Sequence, residues 1–265
     1  VDLSNCRLTD DPTRPYRYLF PLGSSLAPGQ YLVLSGATLG FHLRAEGEGL
    51  YLLDAAAAGD RLLDSIVFGA QVEGLSIGRL SSGTWHLNEP TPGADNRLAP
   101  TGDAAQLRIN EWLASGTSAL QSDFVELYNP DTVAVDLSEV FLSDRLATAP
   151  HRHQFPPLTF IPPGGFLTVF SSPNQALGQN QLAFGLTSDQ GLIALTAADG
   201  RVVDAVWYAP QARGISQGRE PDGASKIVSF PRPGPGGPNT TVPPLVDVRL
   251  NEILADNRSF ATANG

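Results

Sequence analysis

Between Leu107 and Pro130 the chain reads LRINEWLASGTSALQSDFVELYNP, two clusters of apolar positions broken by polar ones. Ile109, Trp112 and Leu113 supply the first apolar set, and Phe124, Leu127 and Tyr128 the second. The pattern predicts two short strands. Asn129-Pro130-Asp131 ends the second, because proline cannot donate to a ladder and Asx residues favour turns. The same opening returns near the end of the chain, where Val248–Ala255 reads VRLNEILA against LRINEWLA. A pattern repeated at this closeness marks an internal repeat.

The rest of the chain pairs up in the same way. Val1-Asp2-Leu3-Ser4 through Asp10 matches Val135-Asp136-Leu137-Ser138 through Asp144, a half-buried strand running into a turn. Phe20-Pro21 matches Phe155-Pro156. A Pro-Gly turn launches a strand at Gln30–Leu34 and again at Gly165–Val169, since Pro presets φ and Gly accepts a positive one. Leu50–Leu53 with Leu62–Phe68 repeats as Leu192–Thr196 with Val202–Tyr208, the second pair joined by the hairpin signal Ala198-Asp199-Gly200. Ser76-Ile77-Gly78-Arg79 matches Ser216-Gln217-Gly218-Arg219. Each unit closes on a Pro/Gly-rich run ending in Asn96 or Asn239.

No stretch carries sustained helical periodicity. Many short strands between Gly/Pro turns predict an all-β protein built from tandem immunoglobulin-like β-sandwich domains. The repeat sets the boundaries. Residues 1–97 form a unit lacking its opening strands, 98–105 a linker, 106–239 a complete unit, 240–246 a stiffer linker with Pro243-Pro244, and 247–265 the opening strand of a third. Trp112, Phe124, Leu127, Phe166, Phe184, Leu195 and Val206 fall on the apolar side of their strand patterns and are expected in the core.

Composition sharpens this reading. A unit of about 130 residues can hold one core without staples. Gly 27 and Pro 22 suit a loop-rich chain. The net charge of -10 repels phosphate backbones and argues against nucleic acid. Cys6 is the single cysteine, so no intramolecular disulfide forms. No apolar run is long enough to span a bilayer, so no membrane insertion is expected in this segment.

Taken together, the opening INE, FVELYNP, VDLSxxxLSD, the PPGG turn, the FGL segment, VVDAVWY, Gly218-Arg219 with Pro221-Asp222-Gly223, and the closing PGPGGPN resemble the lamin tail domain. The resemblance covers nearly the whole chain. It implies an immunoglobulin-like sandwich that binds or scaffolds and has no catalytic residues to transfer. The third opening, LNEILADNRSFATANG, looks like bacterial versions found in large surface or secreted proteins.

Candidate chemistry is sparse. His151 and His153, two apart, offer two metal ligands on one strand face, but a closed zinc site wants four; a solvated strand edge is the expectation. Asp10, Asp144 and Asp222 sit at turns and are the candidate calcium ligands, calcium needing six to eight oxygens; no other cofactor is implied. Asp64 and Asp204 lie mid-strand in both copies, as Arg79 and Arg219 each follow a glycine. These four are expected to make structural ion pairs tying strand to loop. Glu111 and Glu126 resemble a glycosidase pair in type, but Asn-Glu recurs at Asn251-Glu252, which marks a fold determinant. Trp85, Trp112 and Trp207 are expected in the core and not on a sugar-stacking face.

The sequence thus predicts a non-catalytic structural or adhesive module of a longer, extracellular or cell-surface bacterial protein. Its expected partners are neighbouring repeats or other copies of the chain. Two alternatives stay open: a calcium- or carbohydrate-binding module, and an accessory domain of an enzyme elsewhere in the polypeptide. The first unit lacks two strands, and Val248–Ala255 has no unit to join. A longer natural chain explains both; insertion of that strand into another molecule is the other arrangement, though one strand replaces only one of the two missing.

Overall fold

The structure is a computed structural model that describes residues 1–116, 122–171 and 181–241. Through the first unit run β1 (Arg7–Thr9), β2 (Tyr18–Leu19), the one-turn helix α1 (Gly36–Leu39), β3 (Glu48–Leu53), β4 (Leu62–Phe68), β5 (Ser76–Arg79), β6 (Trp85–Glu89) and β7 (Arg97–Leu98). The second unit contributes β8 (Arg108–Leu113), β9 (Phe124–Tyr128), β10 (Val135–Asp136), β11 (Val140–Ser143), β12 (His153–Gln154), β13 (Phe160–Ile161), β14 (Phe166–Phe170), β15 (Gly191–Ala197), β16 (Val202–Tyr208), β17 (Ser216–Arg219) and β18 (Ile227–Phe230). The chain is nearly all β, in antiparallel sheets.

Two sheets face each other in the second unit. One has five strands in the order β14-β9-β8-β17-β18, the other four in the order β12-β11-β15-β16. Between them Ile109, Trp112, Val125 and Leu127 of the first sheet meet Leu142, Ile193, Leu195 and Val206 of the second. This is the inter-sheet core of a sandwich. Trp112 packs against Tyr208 with ring centroids 6.3 Å apart.

The first unit has only part of this plan. Its sheet β2-β1-β3-β4 repeats β12-β11-β15-β16, down to a bulge: Leu52 faces Asp64 where Leu195 faces Asp204, and the register shifts at the next pair in both. The facing sheet is β5-β6-β7, in which β5 and β6 correspond to β17 and β18. Nothing among the described residues stands where β8 and β9 stand. The strand expected at Gln30–Leu34 does not form, and its side chains Tyr31, Leu32 and Val33 are exposed. Its counterpart β14 is held by pairing with β9 from Phe166↔Tyr128 to Phe170↔Phe124. Without that neighbour the segment has no ladder to join, and strand propensity alone does not make a strand.

The first unit leans on the second. Phe68, Val72, Leu87 and Ala99 share a buried cluster with Ala134, Leu158 and Phe160. Gly69 N donates to Pro157 O at 3.0 Å, Phe160 N to Ala70 O at 2.8 Å, and Gln71 Nε2 to Leu158 O at 2.8 Å. A Cβ on Gly69 would overlap the Thr159 hydroxyl, so this close approach requires glycine. Residues 98–105 are not a free linker either: Leu98 ends β7, Ala99 is buried, and Thr101 bridges Ala134. The segment 242–265, including the Pro243-Pro244 linker and the third opening Val248–Ala255, lies outside the described residues.

Three core assignments change. Phe166 is half-buried on the outer side of β14, stacked on Tyr128 at 5.0 Å, while Leu167 and Val169 point inward. The run FLTVF is apolar in both phases of the alternation, so pattern alone did not fix its inward side. Trp207 is 78% exposed and Trp85 is half-buried, leaving Trp112 as the core tryptophan.

Candidate functional site

The densest polar cluster lies on the outer face of the five-stranded sheet. A bulge between Ile109 and Glu111 turns Glu111 to that face, directly across from Glu126, and both are fully buried. The closing run from Pro233 to Asn239 supplies their covering. Gly234 N donates to both Glu111 oxygens at 3.3 Å, and Gly236 N donates to Glu126 at 2.5 Å. Ser216 Oγ donates to Glu111. Asn110 Nδ2 and Thr168 Oγ1 donate to Glu126 at 3.2 and 3.1 Å.

Burial raises the affinity of both carboxylates for protons. Removal from water lifts Glu126 to about 7, with the facing Glu111 charge adding to the shift against the hydrogen bonds that lower it. Burial likewise raises Glu111. At neutral pH the pair therefore holds a proton for part of the time. Chemically this is an acid–base pair, but it lies under backbone and not in a cleft. Its partners are a loop, a serine, an asparagine and a threonine of the same unit.

The neighbouring Asn110 ties the closing run to β8. Its Nδ2 donates to Asp222 Oδ1 at 2.9 Å and its Oδ1 accepts from Gly223 N at 3.0 Å. Asn239 Nδ2 reaches both Asn110 O and Arg219 O, at 3.2 and 2.9 Å. Sequence reasoning placed Asn-Glu on the opening strand, but it missed that PGPGGPN is the lid over Glu111 and Glu126. The readable signal was the glycines, whose backbone N–H groups can face a buried carboxylate without a side chain between.

The Asp-Arg positions come together in both units. Arg219 Nη2 meets both Asp204 oxygens at 3.0 Å, joining β17 to β16 across the sandwich. Asp204 also accepts from Ile109 N at 2.9 Å, and Arg219 Nε donates to Ile109 O at 2.8 Å. The pair thus grips the backbone of β8 from both sides. In the first unit Arg79 meets Asp64 with two hydrogen bonds, 2.9 and 2.7 Å, but the pair is exposed and holds no strand.

The candidate metal ligands do not converge. Asp10 pairs with Arg17, Asp144 with Arg152, and Asp222 with Asn110 and Asn239, at three separate turns. Among the described residues no group of three His, Cys, Asp or Glu side chains gathers. His151 and His153 also part ways, correcting the reading of one solvated edge. His151 is exposed and stacks on Phe141 at 4.2 Å; His153 is buried edge-on against Phe155 at 4.9 Å. His151 precedes β12 and is not in it, so the two-residue alternation does not apply. Burial pushes His153 down to about 4, and its Nε2 has no hydrogen-bond partner.

An apolar hollow of about 440 Å³ opens in the first unit. Leu50, Ile66 and Phe68 line it from one sheet, and Leu75, Ile77 and Trp85 from the side of the other. By topology this is the space that β8 fills in the second unit.

Comparison with known proteins gives one match. Residues 100–210 fit the family model described as Lamin Tail Domain. No curated protein and no solved structure matches the chain.

Proposed function

Residues 100–210 belong to the lamin tail domain family, an immunoglobulin-like and non-enzymatic fold, and from that premise we propose that the chain is a structural or adhesive module. It works in a longer polypeptide at a bacterial cell surface or in secreted form. Its partners are neighbouring repeats or other copies of the same chain, with no nucleic acid and no membrane insertion. No described helix is long and apolar enough to cross a membrane.

One observation carries this reading. The residues with chemical potential are spent inside the fold: Glu111 and Glu126 hold the closing run, and Asp204 and Arg219 hold β8. The acidic surface charge opposes polyanions. The alternative is a module that binds calcium or carbohydrate.

Calorimetric titration of the chain with calcium, and separately with a panel of neutral oligosaccharides, decides between them. The structural reading expects no saturable heat and no change in melting temperature with either. Saturable binding with a rise in melting temperature overturns it in favour of the ligand-binding module. Surface placement is checked by protease treatment of intact source cells, which should remove the protein.

A further inference from the structure

We propose that the closing run Pro233–Asn239 is a proton-controlled flap: it lies shut over Glu111 and Glu126 while the pair keeps a proton between them, and it lifts as that proton is lost. Such a flap gives the structural module proposed above a response to pH.

The pair is built to hold a proton. Glu111 and Glu126 face each other on neighbouring strands, both fully buried, and two charges so placed repel. Among the described residues no lysine or arginine pairs with either. On β8, Arg108 Nη1 donates to Ala105 O and Leu107 O at 3.2 and 2.7 Å. On β17, Arg219 is held by Asp204. In the loop after β17, Lys226 pairs with Glu220 at 3.6 Å, and on the run itself Arg232 is exposed. On β9, the Tyr128 ring stacks on Phe166. β14 brings Thr168 to Glu126, and β18 places Phe230 across from Ser216, neither of them charged. Burial raises Glu111, and the charge of Asp222 in the loop after β17 adds to the rise.

The cover is tied down by what it donates. Gly234 N and Gly236 N end on the two carboxylates, and Asn239 N ends on Asp222 Oδ1 at 2.9 Å. Gly236 reaches Glu126 from a left-handed conformation, φ +93°, that suits glycine. Gly234 and Gly236 are exposed, and a Cβ on either would meet nothing within 4 Å, so these positions bring no packing of their own. The far end is pinned separately, by Asn239 Nδ2 on Asn110 O and Arg219 O. A run fixed at β18 and at Asn239, and held between them by two N–H groups on a carboxylate pair, can lift in the middle without the unit unfolding.

The direction follows from charge. With one proton kept, a single buried charge is met by neutral donors of the run, Ser216, Asn110 and Thr168. Loss of that proton sets two charges face to face under the run, and lifting it lets water reach both. Covered, Glu126 is lifted by burial, and then by the facing Glu111 charge, to about 7; hydrated, it returns toward 4.5. Opening therefore becomes roughly tenfold more favourable from pH 6 to pH 8. The outer face of the sheet changes with it, from a surface covered by Pro and Gly to one that presents two carboxylate charges.

Hydrogen exchange of the Gly234 and Gly236 amides, followed by nuclear magnetic resonance in the 265-residue chain and divided by the intrinsic rate at each pH, tests the proposal. Protection should fall roughly tenfold from pH 6 to pH 8. The amide of Ile193, in the facing sheet, should stay better protected than Gly236 throughout. Glu126→Gln, which mimics the protonated acid, should abolish the fall, and Glu111→Gln, which removes the facing charge, should lessen it. Protection that is constant in the parent chain, or that falls equally in Glu126→Gln, overturns the proposal. Protection of Gly236 equal to that of Ile193 at every pH also overturns it, because the run would then open only with the whole unit. If Glu126→Gln does not fold, the parent profile and Glu111→Gln decide by the same criteria. The exchange result is independent of the calcium and oligosaccharide titrations, so the flap and the structural reading can fail separately.

Discussion

Replacing Glu126 with Gln should change how stability depends on pH, in a direction fixed by burial. In the folded chain Glu126 is fully buried and its carboxyl is lifted to about 7, against an ordinary value of 4.5. The folded state therefore holds a proton that the unfolded state has released over this interval, and stability falls as pH rises between these two values. A displacement of about 2.5 units, at 1.36 kcal/mol each, corresponds to roughly 2–3 kcal/mol lost between pH 5 and pH 8. Gln mimics the protonated acid: it keeps one acceptor for Gly236 N and adds an N–H donor. Glu126→Gln should lie within about 1 kcal/mol of the parent at pH 5 and exceed it by roughly 2 kcal/mol at pH 8. Urea unfolding followed through Trp112 fluorescence at several pH values measures this, with the slope m held constant. Parent and variant curves that run parallel from pH 5 to pH 8 would refute the reasoning, because the carboxylate would then titrate alike in both states.

His153 should act with the opposite sign: its folded value of about 4 lies below the ordinary 6.5, so its contribution is present above 6.5 and lost as pH falls toward 4. His153→Leu should remove a loss of roughly 2 kcal/mol on going from pH 8 to pH 5, read by the same urea series, and leave the Glu126 slope uncovered. Trp112→Ala should cost about 3–5 kcal/mol as a fully buried aromatic, and Phe166→Ala, half-buried on the outer face, about 1 kcal/mol; equal losses in urea would mean the inward side of β14 is misassigned. Asp204→Asn should destabilise by about 3 kcal/mol, because it leaves the nearly buried Arg219 unpaired, whereas Asp64→Asn, at an exposed pair, should stay below about 1 kcal/mol in thermal melts.

Strands whose neighbours lie in the same unit were legible in the sequence. Val202–Tyr208 and Arg108–Leu113 form where the pattern put them. Gln30–Leu34 did not, because its apolar alternation states a preference and the missing β9 decides the outcome. Phe166 was read on the wrong side because FLTVF has apolar residues in both phases. The carboxylates at 111 and 126 were visible as a repeated Asn-Glu and an odd charge within an apolar strand. Their cover was not, since a Pro/Gly run carries no side-chain pattern that reports what its backbone N–H groups face. The Asp-Arg grip needed a contact 95 positions distant in sequence, between Ile109 and Asp204, which no local pattern encodes.

The seam at Gly69, Gln71 and Phe160 has a mechanical consequence. The shared cluster of Phe68, Val72, Leu87 and Ala99 includes side chains from the second unit, so part of the first unit's interior is borrowed from its neighbour. In a nearest-neighbour description of an array, such a joint adds an interface term that neither unit has alone. Pulling the ends apart would then load the seam itself, since opening either unit exposes part of the other's cluster. In an array joined this way, load would pass from one unit to the next through a shared core and not through a slack linker.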